Sequence, residues 1–554
     1  MKRLVLADPL TPEGLELLAR EPELQVDDYS GMERSALLES LRGASGLIVR
    51  SRTRVDAELL AAADALEVVG RAGVGVDNID MEVATRRGIA VLNAPGGNTL
   101  STAELTIGLI LAVTRRIPAA DRSVREGRWD RRGLRGNQLH GRVLGVIGAG
   151  RIGSAVIRRA RSLGMEVLVH DPFLTSDRAG DLGIERSDLD GLLERSDIVT
   201  LHVPLTDATR GMIGREQIQR MKPGAYLVNA ARGGLVDELA LAEALEANRL
   251  AGAALDVYER EPLAANHPLR SAPHMVFTPH LGAATDEAQR EVSREIAAAV
   301  REALLAGDFA GALNAPYIDP GDRTRVLPIL ELGQRLGTLL SRLTDGRGDR
   351  VEVRYAGPAH RVLRPLAAAV MEGFLRPTMD CSLNLVNSLT LAAERGIEVG
   401  RARLGDVADY ANYVELAATV PTETGPAGAL EDRSAEGDGA RGGGSMREVV
   451  VGGALLGEAQ HPRIVRIGEF HVSTVPRGVL LLVRNQDIPG VIGEVGTRLG
   501  RARINIAEYH QARRQAGGEA LGVITVDGAV PGAVLEEIRA LPAVEDVRQV
   551  CFRP

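Results

Sequence analysis

Residues 142–172 narrow the fold more than any other stretch of this chain. They read RVLGVIGAGRIGSAV and then, after a helical run, MEVLVHDP. An apolar run ends at Gly148, Gly150 and Gly153, which stand at GxGxxG spacing. A helix is expected over 151–163, and the next apolar run ends on Asp171, eighteen residues past Gly153. Strand, glycine turn, helix, strand and terminal carboxylate together form the dinucleotide-binding half of a doubly wound parallel sheet. The glycines permit a tight turn and let the backbone approach a pyrophosphate at the helix N-terminus. Asp171 would accept hydrogen bonds from ribose hydroxyls and repel a 2′-phosphate, so the cofactor expected is NAD rather than NADP.

Similar alternation runs on both sides of this unit. Before it, RLVLADP, SGLIVRS, LEVVGRAG and GIAVLNAP read as strands, with helices over TPEGLELLARE and VDAELLAAAD. After it come SDIVTLHVP, AYLVNAARG, AGAALDVY and MVFTPHLG. Strands alternating with helices predict parallel sheets covered on both faces. Residues 98–117 have helical spacing and are long enough to bridge two domains. The amphipathic run 284–306 is expected to return to the first one. The tail GVLLLVR…VRQVCF follows a βαββαβ order, a ferredoxin-like unit. Residues 420–446, rich in Gly, Pro, Glu and Ala without apolar period, are expected to be a mobile loop.

With 554 residues the chain should divide into three or four domains. The formal net charge of −8 argues against nucleic acid as main partner. The two cysteines, Cys381 and Cys551, cannot make a disulfide framework, and no apolar run is long enough to span a bilayer. A cytoplasmic protein is therefore expected. The ten histidines are dispersed without HExxH or Cys/His clusters, so no metal site is expected. Lysine occurs only at Lys2 and Lys222, which leaves arginine to hold any anion.

Three polar residues follow apolar strands: Arg232 in LVNAARGG, Glu261 in ALDVYEREP and His280 in FTPHLG. Strand C-terminal ends face the ligand crevice of such a sheet. Oxidation of an alcohol by hydride transfer needs a base for the hydroxyl proton, a group that sets that base's protonation, and an anchor for the substrate. His280, Glu261 and Arg232 suit those roles in turn. Taken singly, and on spacing alone, they read better as a core histidine, a solvated glutamate and a capping arginine.

The blocks GRVLGVIGAGRIG, HVPLTDATRGMIG, MKPGAYLVNAARGGLVDE, AGAALDVYEREP and PHLGAATDEAQ follow in order the signatures of the D-isomer-specific 2-hydroxyacid dehydrogenases, which the chain resembles. GLIVRSRTRV, VVGRAGVGVDNID, LNAPGGNTLSTAEL and GRWDRRGLRG resemble the substrate-domain motifs of the branch acting on 3-phosphoglycerate, and LNLVNSLTLAAERGIEV and RIVRIGEFHVSTVPRGVLL resemble the intervening allosteric domain of its long form. The resemblance implies NAD-dependent oxidation of 3-phosphoglycerate to 3-phosphooxypyruvate, the first step of L-serine biosynthesis. It makes Arg232, Glu261 and His280 catalytic. NAD contacts are implied at Gly148, Gly150, Arg151, Ile152, Gly153, Asp171, Val203, Pro204, Ala230, Ala231, Arg232, Asp256, His280, Gly282 and Ala283. Asp256 would meet the nicotinamide amide. Val74 departs from the threonine of some relatives. Arg50, Ser51, Arg71, Gly73 and Asn98 would hold the substrate, its phosphate on Arg50 and Arg71, with Arg131 reaching a neighbouring subunit's site.

VRNQDIPGVIGEVGTRLGRARINIAEYH resembles an ACT domain, which implies an L-serine pocket at a subunit interface from Asn485, Asp487 and Asn505. A dimerisation module without ligand is the alternative there. The expected architecture is α/β: a flavodoxin-like substrate-binding domain (1–97 and 284–315) with an inserted Rossmann-type NAD domain (98–283). An α+β intervening allosteric domain (316–475) and the ACT domain (476–554) follow. The assembly expected is a homo-oligomer, dimer or tetramer. Alternative activities are glyoxylate or hydroxypyruvate reduction, or a non-catalytic NAD-sensing scaffold.

Overall fold

The computed structural model describes residues 1–309, 311–359, 361–379, 381–405, 407, 410–421, 446–457 and 460–552. Four sheets organise them, in chain order. The first holds β1 (Lys2–Leu6), β2 (Leu24–Asp28), β3 (Gly46–Val49), β4 (Val68–Arg71) and β5 (Ala90–Asn93). They are parallel, in the order β2-β1-β3-β4-β5, the flavodoxin-like arrangement. Leu4, Leu6, Ile48 and Val68 face one core, while Val5, Leu47, Val49 and Val69 face another, so both sides are covered. Helix Asp286–Ala306 does return to this sheet, with Val292, Ile296 and Val300 buried in the first of those cores. Thr285 caps it by accepting from the Ala288 amide at 3.2 Å.

The second sheet holds β6 (Val143–Ile147), β7 (Glu166–His170), β8 (Glu185–Arg186), β9 (Ile198–Leu201), β10 (Ala225–Asn229), β11 (Leu250–Leu255) and β12 (Met275–Phe277). All are parallel, in the order β12-β11-β10-β9-β6-β7-β8. The order reverses between β6 and β9, and at such a switch point the strand ends part to leave a ligand crevice. Helix Thr99–Thr114 buries Leu109, Ile110 and Val113 against this sheet.

The third sheet is mixed: β13 (Arg350–Ala356), β14 (Glu398–Arg403), β15 (Tyr413–Pro421), β16 (Met446–Leu456), β17 (His461–Ile467) and β18 (Phe470–Thr474), ordered β14-β13-β15-β16-β17-β18. Of the expected loop 420–446, residues 422–445 lie outside the described residues. Val420, Pro421 and Met446 belong to strands, and Pro421 pairs Met446. The helix Ser388–Glu394 starts just after Asn384 and Asn387, which are engaged in turn hydrogen bonds.

The fourth sheet, β19 (Val479–Gln486), β20 (Ile506–Arg513), β21 (Glu519–Val526) and β22 (Val544–Cys551), is antiparallel in the order β20-β21-β19-β22. Its Leu481, Val483 and Ile524 pack on helices Val491–Arg501 and Gly532–Arg539. Its opposite face is not free. Leu480, Leu482, Leu521, Val523 and Val550 share one core with Leu336, Leu340 and Val451 of the preceding unit. Among the described residues no helix is long and apolar enough to cross a membrane.

Candidate active site

The glycine turn after β6 is shaped by contact distances. A Cβ on Gly153 would lie 2.0 Å from the Gly148 carbonyl oxygen, and one on Gly148 would lie 2.6 Å from the His202 carbonyl oxygen. Gly148 also takes φ +94°. Gly150, which precedes helix Arg151–Ser162, is different: a Cβ there meets no protein atom within 4 Å. Bare backbone at a helix N-terminus thus faces open space, the cradle a pyrophosphate requires. Asp171 stands beside it and accepts from the Ala149 amide at 2.8 Å and the Phe173 amide at 2.9 Å. The turn and carboxylate fit NAD. Around this cradle, Ile152 and Val203 are half-buried, Arg151 and Pro204 exposed, and Ala230 buried next to half-buried Ala231.

His280 and Glu261 meet. The imidazole Nδ1 donates to Glu261 Oε2 at 2.8 Å, which leaves Nε2 as the proton acceptor of the neutral ring. This hydrogen bond, ahead of burial and reinforced by the Glu261 charge, raises the His280 pKa. Burial pushes Glu261 upward, but the hydrogen bond and charge of His280, with the Tyr258 amide and Arg232, leave it net lowered. His280 sits at φ +56°, a left-handed conformation held by its neighbours. Asp256, fully buried, does most of that holding. It accepts from Thr278 Oγ1 at 2.6 Å and from the Leu281 and Gly282 amides at 2.7 and 3.0 Å. A carboxylate offers about four acceptor positions, so three are committed to the turn that carries His280. Gly282 is itself fixed, its carbonyl accepting from Ser101 and Thr102, and the Ala283 carbonyl accepts from Gln289 Nε2.

Arg232 crosses the cleft. Its Nε pairs with Asp77 Oδ2 at 3.2 Å, which links the end of β10 to the loop after β4. Arg71 and Arg50 stand near it. Burial first, then the positive charges of Arg232 and Arg50, lower the Arg71 pKa to about 10 despite Asp77 and Asp8. Arg71 Nε is buried without a partner, as is Asn98 Oδ1. Arg71 folds over Gly73, and Arg50 Nη2 donates to Gln289. Asp8 sets the backbone here by accepting from the Arg50 amide at 2.7 Å. Three guanidinium groups crowded together repel one another unless an anion joins them. Ser51 and Arg131 are exposed. Asp77, Asp8 and Gln289 escaped the sequence reading, because none belongs to a local pattern. The VDNID segment adjoining Arg71 was the one signal for Asp77.

The three proposed effector residues do not converge within one chain. Asn485 lies level with Ala520, whereas Asn505 precedes Ile506, which pairs with Val526 at the other end of the sheet. Six strand steps separate those ends, about 20 Å. Asn485 is buried and accepts from Gln511, and Asp487 accepts from Arg513 at 3.1 Å. Asn505 donates to Asp527.

Residues 107–282 match the family described as D-isomer specific 2-hydroxyacid dehydrogenase, NAD binding domain. Residues 325–433 match the D-3-phosphoglycerate dehydrogenase intervening domain, and 479–543 the ACT domain. The D-3-phosphoglycerate dehydrogenase of Archaeoglobus fulgidus is 39% identical over 551 residues, covering 99% of both chains. A solved glyoxylate reductase from Paecilomyes thermophila is 30% identical with TM-score 0.52, covering 55% of this chain and 96% of its own. An NAD-dependent formate dehydrogenase from Staphylococcus aureus, solved with NAD, is 27% identical with TM-score 0.50, covering 56% of this chain and 97% of its own.

Proposed function

The chain belongs to the D-3-phosphoglycerate dehydrogenase family, and on that premise we propose that it oxidises 3-phosphoglycerate to 3-phosphooxypyruvate with NAD, opening L-serine biosynthesis. What carries this substrate is the buried, unpartnered Arg71 Nε flanked by Arg50 and Arg232. A dianionic phosphate suits such a cluster better than a small unphosphorylated acid does. In our reading Arg71 and Arg50 hold the phosphate and Arg232 the carboxylate, with Asn98, Gly73 and Ser51 beside them. His280 Nε2 takes the hydroxyl proton, and Glu261 stabilises the imidazolium that results. NAD, when bound on Gly150, Asp171 and the 230–232 and 280–283 turns, supplies the hydride acceptor.

The same reading divides the chain into a substrate unit (1–97 and 284–315), an NAD unit (98–283), an intervening unit (316–475) and an ACT unit (476–554). Trp129, 81% exposed and two residues before exposed Arg131, supports a homo-oligomer in which Arg131 serves the neighbouring site. The separation of Asn485 and Asp487 from Asn505 favours an L-serine pocket completed by a second chain. Two free, exposed cysteines suit a cytoplasmic setting.

The test is NADH formation from 3-phosphoglycerate and from unphosphorylated 2-hydroxyacids, each with and without L-serine. Strong preference for the phosphorylated acid is expected, with a response to serine. Equal rates on both would overturn the substrate.

A further inference from the structure

Beyond the residues that face the cleft, one buried acid lies behind the loop that carries Glu261. Glu238 opens helix Glu238–Glu246 and is 6% exposed. Its Oε1 accepts from the Glu259 amide at 2.6 Å, and its Oε2 lies 3.2 Å from His267 Nε2. His267 Nδ1 accepts from the Leu269 amide, so Nε2 is the protonated nitrogen and donates to Glu238. Burial raises the pKa of Glu238, while the Glu259 amide and His267 act against it.

A carboxylate taken out of water is costly unless its partners fix it. Here the partners are a second imidazole and the backbone two residues before Glu261. Other contacts tighten the same loop. A Cβ on Gly233, the residue after Arg232, would lie 1.8 Å from the Tyr258 carbonyl oxygen, so the two turns touch backbone to backbone. The Tyr258 amide donates to Glu261 Oε1 at 3.1 Å, and its hydroxyl donates to the Leu255 and Thr278 carbonyls. Glu238 therefore belongs to the segment that follows Arg232 and grips the segment that ends on Glu261.

We propose that Glu238, backed by His267, is a positioning residue for the reaction: it clamps the 258–261 loop against the Arg232 turn and so sets the Glu261–His280 contact. It touches neither substrate nor cofactor. The inference rests on the proton-handling roles assigned above to His280 and Glu261.

The test compares Glu238→Ala with Glu238→Gln in the full-length enzyme. Gln retains an oxygen that can accept from the Glu259 amide, whereas Ala does not. Since displacements of about 1 Å at a reacting centre can cost 100-fold, Glu238→Ala should lower kcat roughly 10- to 100-fold. NAD affinity by calorimetry and the KM for 3-phosphoglycerate should stay within about twofold, a change of less than half a kcal/mol. The rising limb of the kcat/KM–pH profile should move to lower pH, as the groups facing His280 are then Asp256 and Arg232 with a loosened Glu261. Glu238→Gln keeps the acceptor for the Glu259 amide but sets its NH2 against the His267 Nε2–H, so it should recover part of kcat. Unchanged kcat and pH limb in Glu238→Ala would overturn the proposal. So would a Gln variant as impaired as Ala, or losses of kcat and NAD affinity in parallel. A parallel His280→Ala variant separates the two levels: if it remains active, the underlying assignment of His280 fails instead.

Discussion

The His280 imidazole and the Glu261 carboxylate are joined at 2.8 Å although β11 and β12 deliver them from separate turns. The contact raises one pKa and lowers the other, so the pair favours imidazolium beside carboxylate. Oxidation needs the neutral ring. Its rate should therefore rise with pH through the raised His280 pKa, and reduction of the ketoacid should fall over the same window. Replacing Glu261 by Gln removes the charge that raises His280 and should shift both limbs to lower pH. His280→Ala should lower kcat by about 10²- to 10⁴-fold. The pH–rate profiles of both directions check this; limbs that stay in place in Glu261→Gln would refute it.

Gly150 and Gly153 should respond oppositely to alanine. At Gly153 the new Cβ strikes the Gly148 carbonyl, and a loss of about 1–3 kcal/mol in stability is expected. At Gly150 it meets no protein, so stability should hold within about 0.5 kcal/mol. The NAD dissociation constant should nevertheless rise about tenfold or more, the equivalent of 1.4 kcal/mol. Thermal melts with and without NAD distinguish the two.

Arg71→Ala should cost the phosphorylated substrate about 1.5–3 kcal/mol of binding, the worth of hydrogen bonds to a charged group. Unphosphorylated hydroxyacids should be nearly indifferent. Lysine should restore little, because a compact ammonium cannot reproduce a fork of donors. The measurement is the ratio of kcat/KM for the two substrate classes in each variant.

Asp171→Ala should weaken NAD by about 1.5–3 kcal/mol and narrow the preference over NADP. The loss has two sources: the ribose contact, and the Ala149 amide that Asp171 holds in the glycine turn. Comparing adenosine fragments with whole NAD would separate them.

The strand–glycine–helix unit was legible because its physics is local: short-range sterics at Gly153 and a strand that ends on Asp171. The parallel sheets followed from alternating apolar runs, and the βαββαβ tail from its own period. Arg232, Glu261 and His280 could be suspected because strand ends share one rim of a sheet. Asp77, Gln289 and Glu238 could not, since each acts across turns brought together only by tertiary packing. The shared core beneath the fourth sheet was hidden for a similar reason. Alternation in β19 tells that Leu480 and Leu481 face opposite ways, but not that both faces are covered.

That covering limits how the ACT sheet can act on the rest of the chain. With Leu480, Leu482 and Val550 embedded beside Leu336 and Leu340, it cannot swivel alone, and it is welded to a lever that includes the intervening unit. Near its far end the lever meets the catalytic half through Val386, which is buried in the core of the first sheet, and through polar contacts around it. Asn384 donates to the Gly88 carbonyl at 2.7 Å, and Arg86 pairs with Glu394 at 2.7 Å. A displacement of the tail would thus reach the first sheet at the rim that carries Arg86 and Gly88, opposite the rim on which Arg71 stands.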